Sequence, residues 1–301
     1  MATHIKFWGV RGSIPSPGAD TVRYGGNTTC VEIRHGRDIV ILDAGTGLRK
    51  LGQSLLAEFK RGQLDLSLLL SHTHWDHIQG LPFFAPVYRA RNRLRILGYK
   101  GARQGLNHIL SGQMENPFFP IGLSEVPANV RIEELAESEF RLGKVHVRAC
   151  LANHPGVCVG YRLDTPEGSI AFFPDNECRG SRGGSDPTQR GKAALKNGSG
   201  GLLEFVRGVD ILVMDSQYDS AEYRSHIGWG HGCVDDVVKL AMRAGVKRLF
   251  LFHHDPTHDD AKVARMAAHG RKLVAAGHSR LRVEAAREGL AVDLPSAGGR
   301  S

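Results

Sequence analysis

Residues 66–77 begin as a mostly apolar run and then turn abruptly polar: Leu66-Ser67-Leu68-Leu69-Leu70, followed by Ser71-His72-Thr73-His74-Trp75-Asp76-His77. The first five form a short, mostly apolar run of the kind found in strands covered on both faces. The next seven place three histidines and an aspartate within six residues. Side chains at that spacing cannot all share one helix face or one strand face. They belong on a loop at a strand end, where they can converge. Imidazole and carboxylate together suit Zn2+, Mn2+ or Fe2+.

Working outward, strand-like runs occur at Ile5–Val10, Val31–Arg34, Ile39–Leu42, Leu94–Leu97, Val145–Leu151, Val159–Leu163, Ile170–Phe173, Ile211–Met214 and Leu249–Phe252. Helical periodicity shows at Leu48, Leu51, Leu55, Leu56 and Phe59, at Val234, Val237, Val238 and Ala241, and at Val263, Met266, Ala267, Leu273 and Val274. Asp259 reads as the N-cap of the last of these. The pattern predicts a mixed α/β fold with helices layered on sheets. Four more polar residues follow apolar runs: Asp43, His154, Asp175 and His253. Each has a bland reading. Asp43 can cap the turn Ala44-Gly45-Thr46-Gly47, His154 can be an ordinary loop histidine, and Asp175 with Asn176 can form an Asx-turn. Their shared place at strand ends, where α/β sites are assembled, favours the functional reading.

With these residues in place, the chain resembles the metallo-β-lactamase-fold hydrolases, within them the ribonuclease Z and cyclic phosphodiesterase branch. The likeness runs from Phe7-Trp8-Gly9-Val10-Arg11-Gly12 through the HxHxDH cluster to His253-His254-Asp255-Pro256, about 250 of 301 residues. A second pattern carries the branch: Val213-Met214-Asp215-Ser216, then Gly230-His231-Gly232, a helix, Leu249–Phe252 and His253. The resemblance implies an αββα four-layer sandwich, two mixed sheets flanked by helices. It implies two divalent metal ions, Zn2+ first, with Mn2+ or Fe2+ also tolerated. His72, His74 and His154 would hold one ion; Asp76, His77 and His253 the other; Asp175 would bridge them. Asp43 would orient a ligand histidine through its other ring nitrogen. His254 competes with His253 for the last position, and His253 is preferred because it follows the strand directly. Asp76 would also take the proton of the attacking water, a hydroxide shared by the two ions.

A leaving alkoxide needs a proton donor, and His231, on the Gly-rich turn Gly228–Gly232, suits that role with Asp215 orienting it. His226 is its nearest rival. The turn lacks the Ser or Thr of ribonuclease Z before the following helix, leaving Gly232 as the expected N-cap. His-His-Asp-Pro replaces a His followed by an apolar residue and Ser, and no long Gly-Pro-rich arm is evident. These departures favour a small or cyclic phosphodiester, such as a cyclic nucleotide or ribose cyclic phosphate. The alternatives are a ribonuclease Z-type endoribonuclease acting on RNA, or a lactone or thioester hydrolase on the same scaffold. Trp75 and Trp229 beside the site are read first as packing residues and second as base-stacking ones. Pro117-Phe118-Phe119-Pro120 reads as an apolar lid or a contact in a homodimer.

Composition bounds the rest. Hydrophobic residues make up 41% and charged residues 23%, which excludes disorder for the chain as a whole. No run approaches the ~18–20 apolar residues of a membrane helix. The N-terminus lacks a signal-peptide pattern, so a cytoplasmic location is expected. Five cysteines with no CxxC pair argue against a disulfide framework or Cys-rich zinc site. A net charge of +8 concentrates anions near the surface. One domain is expected over residues 1–294, with a mobile basic insertion at 178–201 and a flexible tail at 295–301.

Overall fold

The computed structural model describes residues 2–99, 105–178 and 201–294. The tail at 295–301 and all but the end residues of the expected insertion lie outside them. One sheet contains β1 (Thr3–Gly9), β2 (Cys30–His35), β3 (Asp38–Leu42), β4 (Asp65–Leu69), β5 (Arg93–Gly98) and β6 (Asn129–Glu134). The other contains β7 (Glu139–Leu142), β8 (Val145–Leu151), β9 (Val159–Thr165), β10 (Gly168–Phe173), β11 (Ile211–Asp215), β12 (Arg248–Phe252) and β13 (Arg282–Ala285). β14 (Ala291–Asp293) returns to the first sheet beside β1, giving the order β14-β1-β2-β3-β4-β5-β6 against β13-β12-β11-β10-β9-β8-β7. Both sheets are mixed: β3 to β6 and β10 to β13 run parallel, and the other pairs are antiparallel.

Strand alternation sorts the apolar residues between layers. On β12, Phe250 and Phe252 face the first sheet's Phe7, Ile33 and Leu42, while Leu249 and Leu251 face outward. The helices described are α1 (Gly47–Glu58), α2 (Trp75–Ile78), α3 (Leu106–Gly112), α4 (Gly201–Phe205), α5 (Ser220–Tyr223), α6 (Val234–Arg243) and α7 (Asp260–Ala276). α1 lays Leu48, Leu51 and Leu55 on the outer face of the first sheet, against Ile41 and Leu68. α6 and α7 cover the outer face of the second through Val237, Val238, Val263 and Met266. The result is the expected four-layer αββα sandwich. Each fully buried large apolar side chain contributes about 1.5–3 kcal/mol on leaving water.

All ten strands expected from the sequence are present. Four more, β6, β7, β13 and β14, are short or carry a charge at alternate positions, so their sequences lack a continuous apolar run. Asp259 caps α7 through the Lys262 amide. The N-cap of α6 is Cys233, not Gly232 as expected, and no side chain caps that helix. Because β3, β4, β8, β10, β11 and β12 all end at one edge of the sandwich, the polar residues that follow them meet there.

Candidate metal centre

β4 delivers Ser71–His77 to that edge, and α2 begins inside the cluster at Trp75. A helix that short turns Asp76 and His77 inward together, and both are buried. His77 Nδ1 lies 2.8 Å from Asp43 Oδ2, and Asp43 also accepts from the Ser71 amide at 2.7 Å and the Ser71 hydroxyl at 2.8 Å. This leaves His77 Nε2 facing the cluster, 3.1 Å from Asp76 Oδ2 and 3.1 Å from Asp175 Oδ1. His253 Nε2 stands 3.1 Å from the same Asp76 oxygen and 3.3 Å from Asp175 Oδ1. Its Nδ1 meets Gln217 Oε1 at 3.0 Å.

Asp175 faces both groups. Its Oδ2 lies 3.6 Å from His72 Nε2 and 3.5 Å from His154 Nε2, while Oδ1 faces His77 and His253. His154 Nε2 is 3.2 Å from His74 Nδ1, and its Nδ1 meets the Gly230 carbonyl at 2.9 Å. Donor atoms of His72, His74, His154 and Asp175 therefore fall within 4.8 Å of one another, as do those of Asp76, His77 and His253. The seven ligand candidates of the sequence converge in the expected two groups. His254 turns the other way: its Nε2 meets the Ala286 carbonyl at 2.9 Å, and its ring packs against Tyr24.

Backbone strain marks the same edge. Asp43 and His253 both leave their strands with left-handed backbone, at φ 61° and 59°. That conformation costs a non-glycine residue roughly 1–2 kcal/mol. Gly12 accommodates His253, since a Cβ there would lie 2.3 Å from the imidazole.

The charges respond to this crowding. Burial works against protonation of His77, but Asp76, Asp175 and Asp43 outweigh it and hold its pKa well above the usual imidazole value. His253 is pushed up to about 9, burial again being overcome, chiefly by Asp175 and Asp76. Burial opposes ionisation of Asp76 and Asp175, yet the neighbouring histidines hold both below the usual carboxylate range. Burial dominates at His72, His74 and His154 and lowers all three. Burial likewise drives His254 down to about 3.

His231 Nδ1 lies 2.9 Å from Asp215 Oδ2, and its ring stacks on His253 with centroids 5.0 Å apart. Asp215 is fixed in turn by the Asn176 and Gln217 amides, at 3.1 and 3.0 Å. His226 is occupied elsewhere, with Nδ1 2.7 Å from the Glu222 carbonyl and its ring stacked on Tyr218. The packing expected of the two tryptophans is overturned: both side chains are exposed. So is Phe118, while Phe119 meets Phe83 edge-on.

Several supporting groups escaped the sequence reading. Gln217 steadies His253, the Ser13 amide donates to Asp76 at 2.8 Å, and buried Glu177 receives the Gly228 and Gly230 amides at 2.8 and 3.1 Å. None sits in a motif; only Gln217, two residues after Asp215, had a positional hint.

Comparison with known proteins follows the same lines. A family model described as a β-lactamase superfamily domain matches residues 38–254. Ribonuclease Z of Picrophilus torridus is 22% identical over 287 residues, covering 85% of this chain and 87% of its own. Among solved structures, the metallo-β-lactamase fold protein YhfI from Bacillus subtilis aligns with a TM-score of 0.68 at 16% identity, covering 97% of this chain and 100% of that one. A diphosphatase of the PhnP family aligns with a TM-score of 0.65 at 16% identity, covering 98% of each chain. At such identities the two structures speak for the fold alone.

Proposed function

The chain belongs to the β-lactamase superfamily, as one of its metal-dependent hydrolases, and from that premise we propose that it hydrolyses a small or cyclic phosphodiester at a pair of divalent ions. The residues present fit such ions: buried His72 Nε2 makes no hydrogen bond, and His77 Nε2 and Asp175 Oδ1, though 3.1 Å apart, are not aligned to form one, so all three face the cluster as free donor atoms. His72, His74 and His154 would hold one ion and Asp76, His77 and His253 the other, with Asp175 shared. Zn2+ suits this donor set first, and Mn2+ or Fe2+ also fit it. When bound, a pair of divalent ions supplies Lewis-acid polarisation of the phosphoryl group and an acidified water.

The protein's own groups do the rest. Asp43 fixes the His77 ring so that Nε2 points inward. The Asp76 carboxylate takes up the proton of the attacking water. Asp215 occupies His231 Nδ1, so the proton delivered to the leaving alkoxide sits on Nε2. Gly228 and Gly230, at φ 82° and 89°, hold this turn against His154, close enough for His231 to reach a bound ester.

The observation that carries the phosphodiester reading is the Asp215–His231 pair beside the ligand cluster, because an alkoxide leaving group needs that donor. Hydrolysis of cyclic nucleotides, which expel an alkoxide, by metal-loaded protein tests it, beside bis(p-nitrophenyl) phosphate, whose p-nitrophenolate leaves unprotonated and so reports the metal centre without the donor. Turnover is expected with both. No turnover of either, with two ions bound per chain, removes the reading. The ribonuclease reading draws on the Picrophilus relative. It predicts cleavage of a precursor tRNA with a 3′ trailer, and binding that weakens steeply as salt rises. A lactone or thioester hydrolase would instead turn over those substrates and leave both phosphodiesters intact.

A further inference from the structure

We propose that Trp75 and Trp229 form an aromatic platform at the mouth of the metal centre that stacks a planar base, so that the substrate is a nucleoside-bearing phosphodiester. The proposal rests on the phosphodiester reading and narrows it to one substrate class.

The chain has three tryptophans. Trp8 is 9% exposed and donates its Nε1 to Glu32 at 2.8 Å, whereas Trp75 is 80% exposed and Trp229 59%. The two exposed indoles are neighbours of site residues in the chain. Trp75 stands between His74 and Asp76, and Trp229 two residues before His231. The two segments that carry them meet at the cluster: the Gly230 carbonyl lies 2.9 Å from His154 Nδ1, and His154 Nε2 lies 3.2 Å from His74 Nδ1.

Trp229 is held there by a built support. Buried Glu177 receives the amides on both sides of it, Gly228 and Gly230, together with the Tyr223 hydroxyl at 2.6 Å. The Trp229 amide donates to the His226 carbonyl at 3.0 Å. Its ring lies edge-on to His226, centroids 4.6 Å apart, and His226 stacks on buried Tyr218. A buried carboxylate and two stacked rings thus fix an indole that remains open to solvent. Trp75 opens the four-residue helix α2, whose next two residues are buried in the cluster, so its backbone is as firmly placed. A ligand that satisfies both the cluster and the indoles must join a phosphate to a flat ring. Base–aromatic stacking of this kind is sequence-tolerant and on the order of tenfold in affinity per base.

Titration calorimetry of the metal-loaded protein, with intrinsic fluorescence beside it, tests this: calorimetry reads the affinity of each ligand, and the two exposed indoles report contact with the base. AMP, ribose 5-phosphate and inorganic phosphate are titrated in turn. AMP is expected to quench the emission and to bind about tenfold tighter than ribose 5-phosphate. Trp229→Ala and Trp75→Ala should each shrink that preference while leaving ribose 5-phosphate affinity in place, and Trp229→Phe should keep most of it. Equal binding of AMP and ribose 5-phosphate overturns the platform and leaves the phosphate site standing. Binding of none of the three overturns the phosphodiester reading and the platform with it. Emission that follows protein concentration, with Trp229→Ala converting a dimer to a monomer on gel filtration, assigns the indoles to a second copy of the chain and also overturns the platform.

Discussion

Asp76, His77 and His253 are buried and each is gripped from outside the cluster, by the Ser13 amide, Asp43 and Gln217. His74 and His154 are built differently. His74 is exposed, His154 is held from outside the cluster by a carbonyl of the Gly-rich turn, and of this group only His72 is buried with a side-chain partner outside it, the Ser71 hydroxyl at 3.1 Å. The buried trio carries paired opposite charges, with its two imidazoles raised and its carboxylate lowered, whereas the histidines of the other group are held towards neutrality. One half of the centre is thus a structural ion-pair network as well as a ligand set. The other half owes its arrangement to the loops that carry it. Ligands oriented by outside partners keep their geometry before any ion arrives.

The strongest way to break this comparison is to remove one ligand from each half. Asp76→Ala and His74→Ala should both reduce phosphodiester hydrolysis to background. Only Asp76→Ala should also destabilise the fold, by about 3–5 kcal/mol, because it strips a partner from a buried ion pair. Thermal unfolding of the two variants, beside elemental analysis, reads the difference. Equal losses of stability would show that the halves are not distinct. His231→Ala comes next, with kcat expected to fall ~10²–10⁴-fold while both ions stay bound. His231 also lies within 4.8 Å of donor atoms of Asp175 and His253, so loss of an ion in this variant would make it a ligand and not the proton donor. Asp43→Asn sharpens the comparison further. It should weaken metal binding by roughly 10–100-fold at the buried half, with the His72–His74–His154 group retaining its ion.

The ligands and the groups that support them differed in how far the sequence disclosed them. Ligands were legible wherever an apolar run ended in a histidine or carboxylate, because strand ends on one edge of an α/β sandwich converge whatever the intervening loops contain. The choice between His253 and His254 rested on nearness to the strand. In the structure it is made by the left-handed backbone at His253, which sends the two neighbouring rings in opposite directions. Of the outside partners, Asp43 was legible at its strand end and the others were not. Ser13 acts through its backbone amide, which any residue provides, and Glu177 lies far in sequence from the turn it anchors. The edge strands β6, β7, β13 and β14 were missed for a related reason: a strand exposed on one side need not be apolar.

The smallest expected effect concerns strain. His253 and His278 share left-handed backbone, at φ 59° and 49°, yet only His253 faces the cluster. His278 is an exposed residue just beyond the end of α7, and its amide closes the helix on the Ala275 carbonyl at 3.1 Å. Glycine is the favoured residue at such a position. His278→Gly should therefore raise stability by about 1 kcal/mol, a few degrees in Tm, with hydrolysis and metal content unchanged. His253→Gly relieves the same backbone cost but leaves Asp76 and Asp175 without the imidazole between them, and should lower both stability and metal content. If the two glycine variants shifted Tm alike, the strain at His253 would have no functional compensation, and the argument that it is sustained by the buried half of the centre would fail.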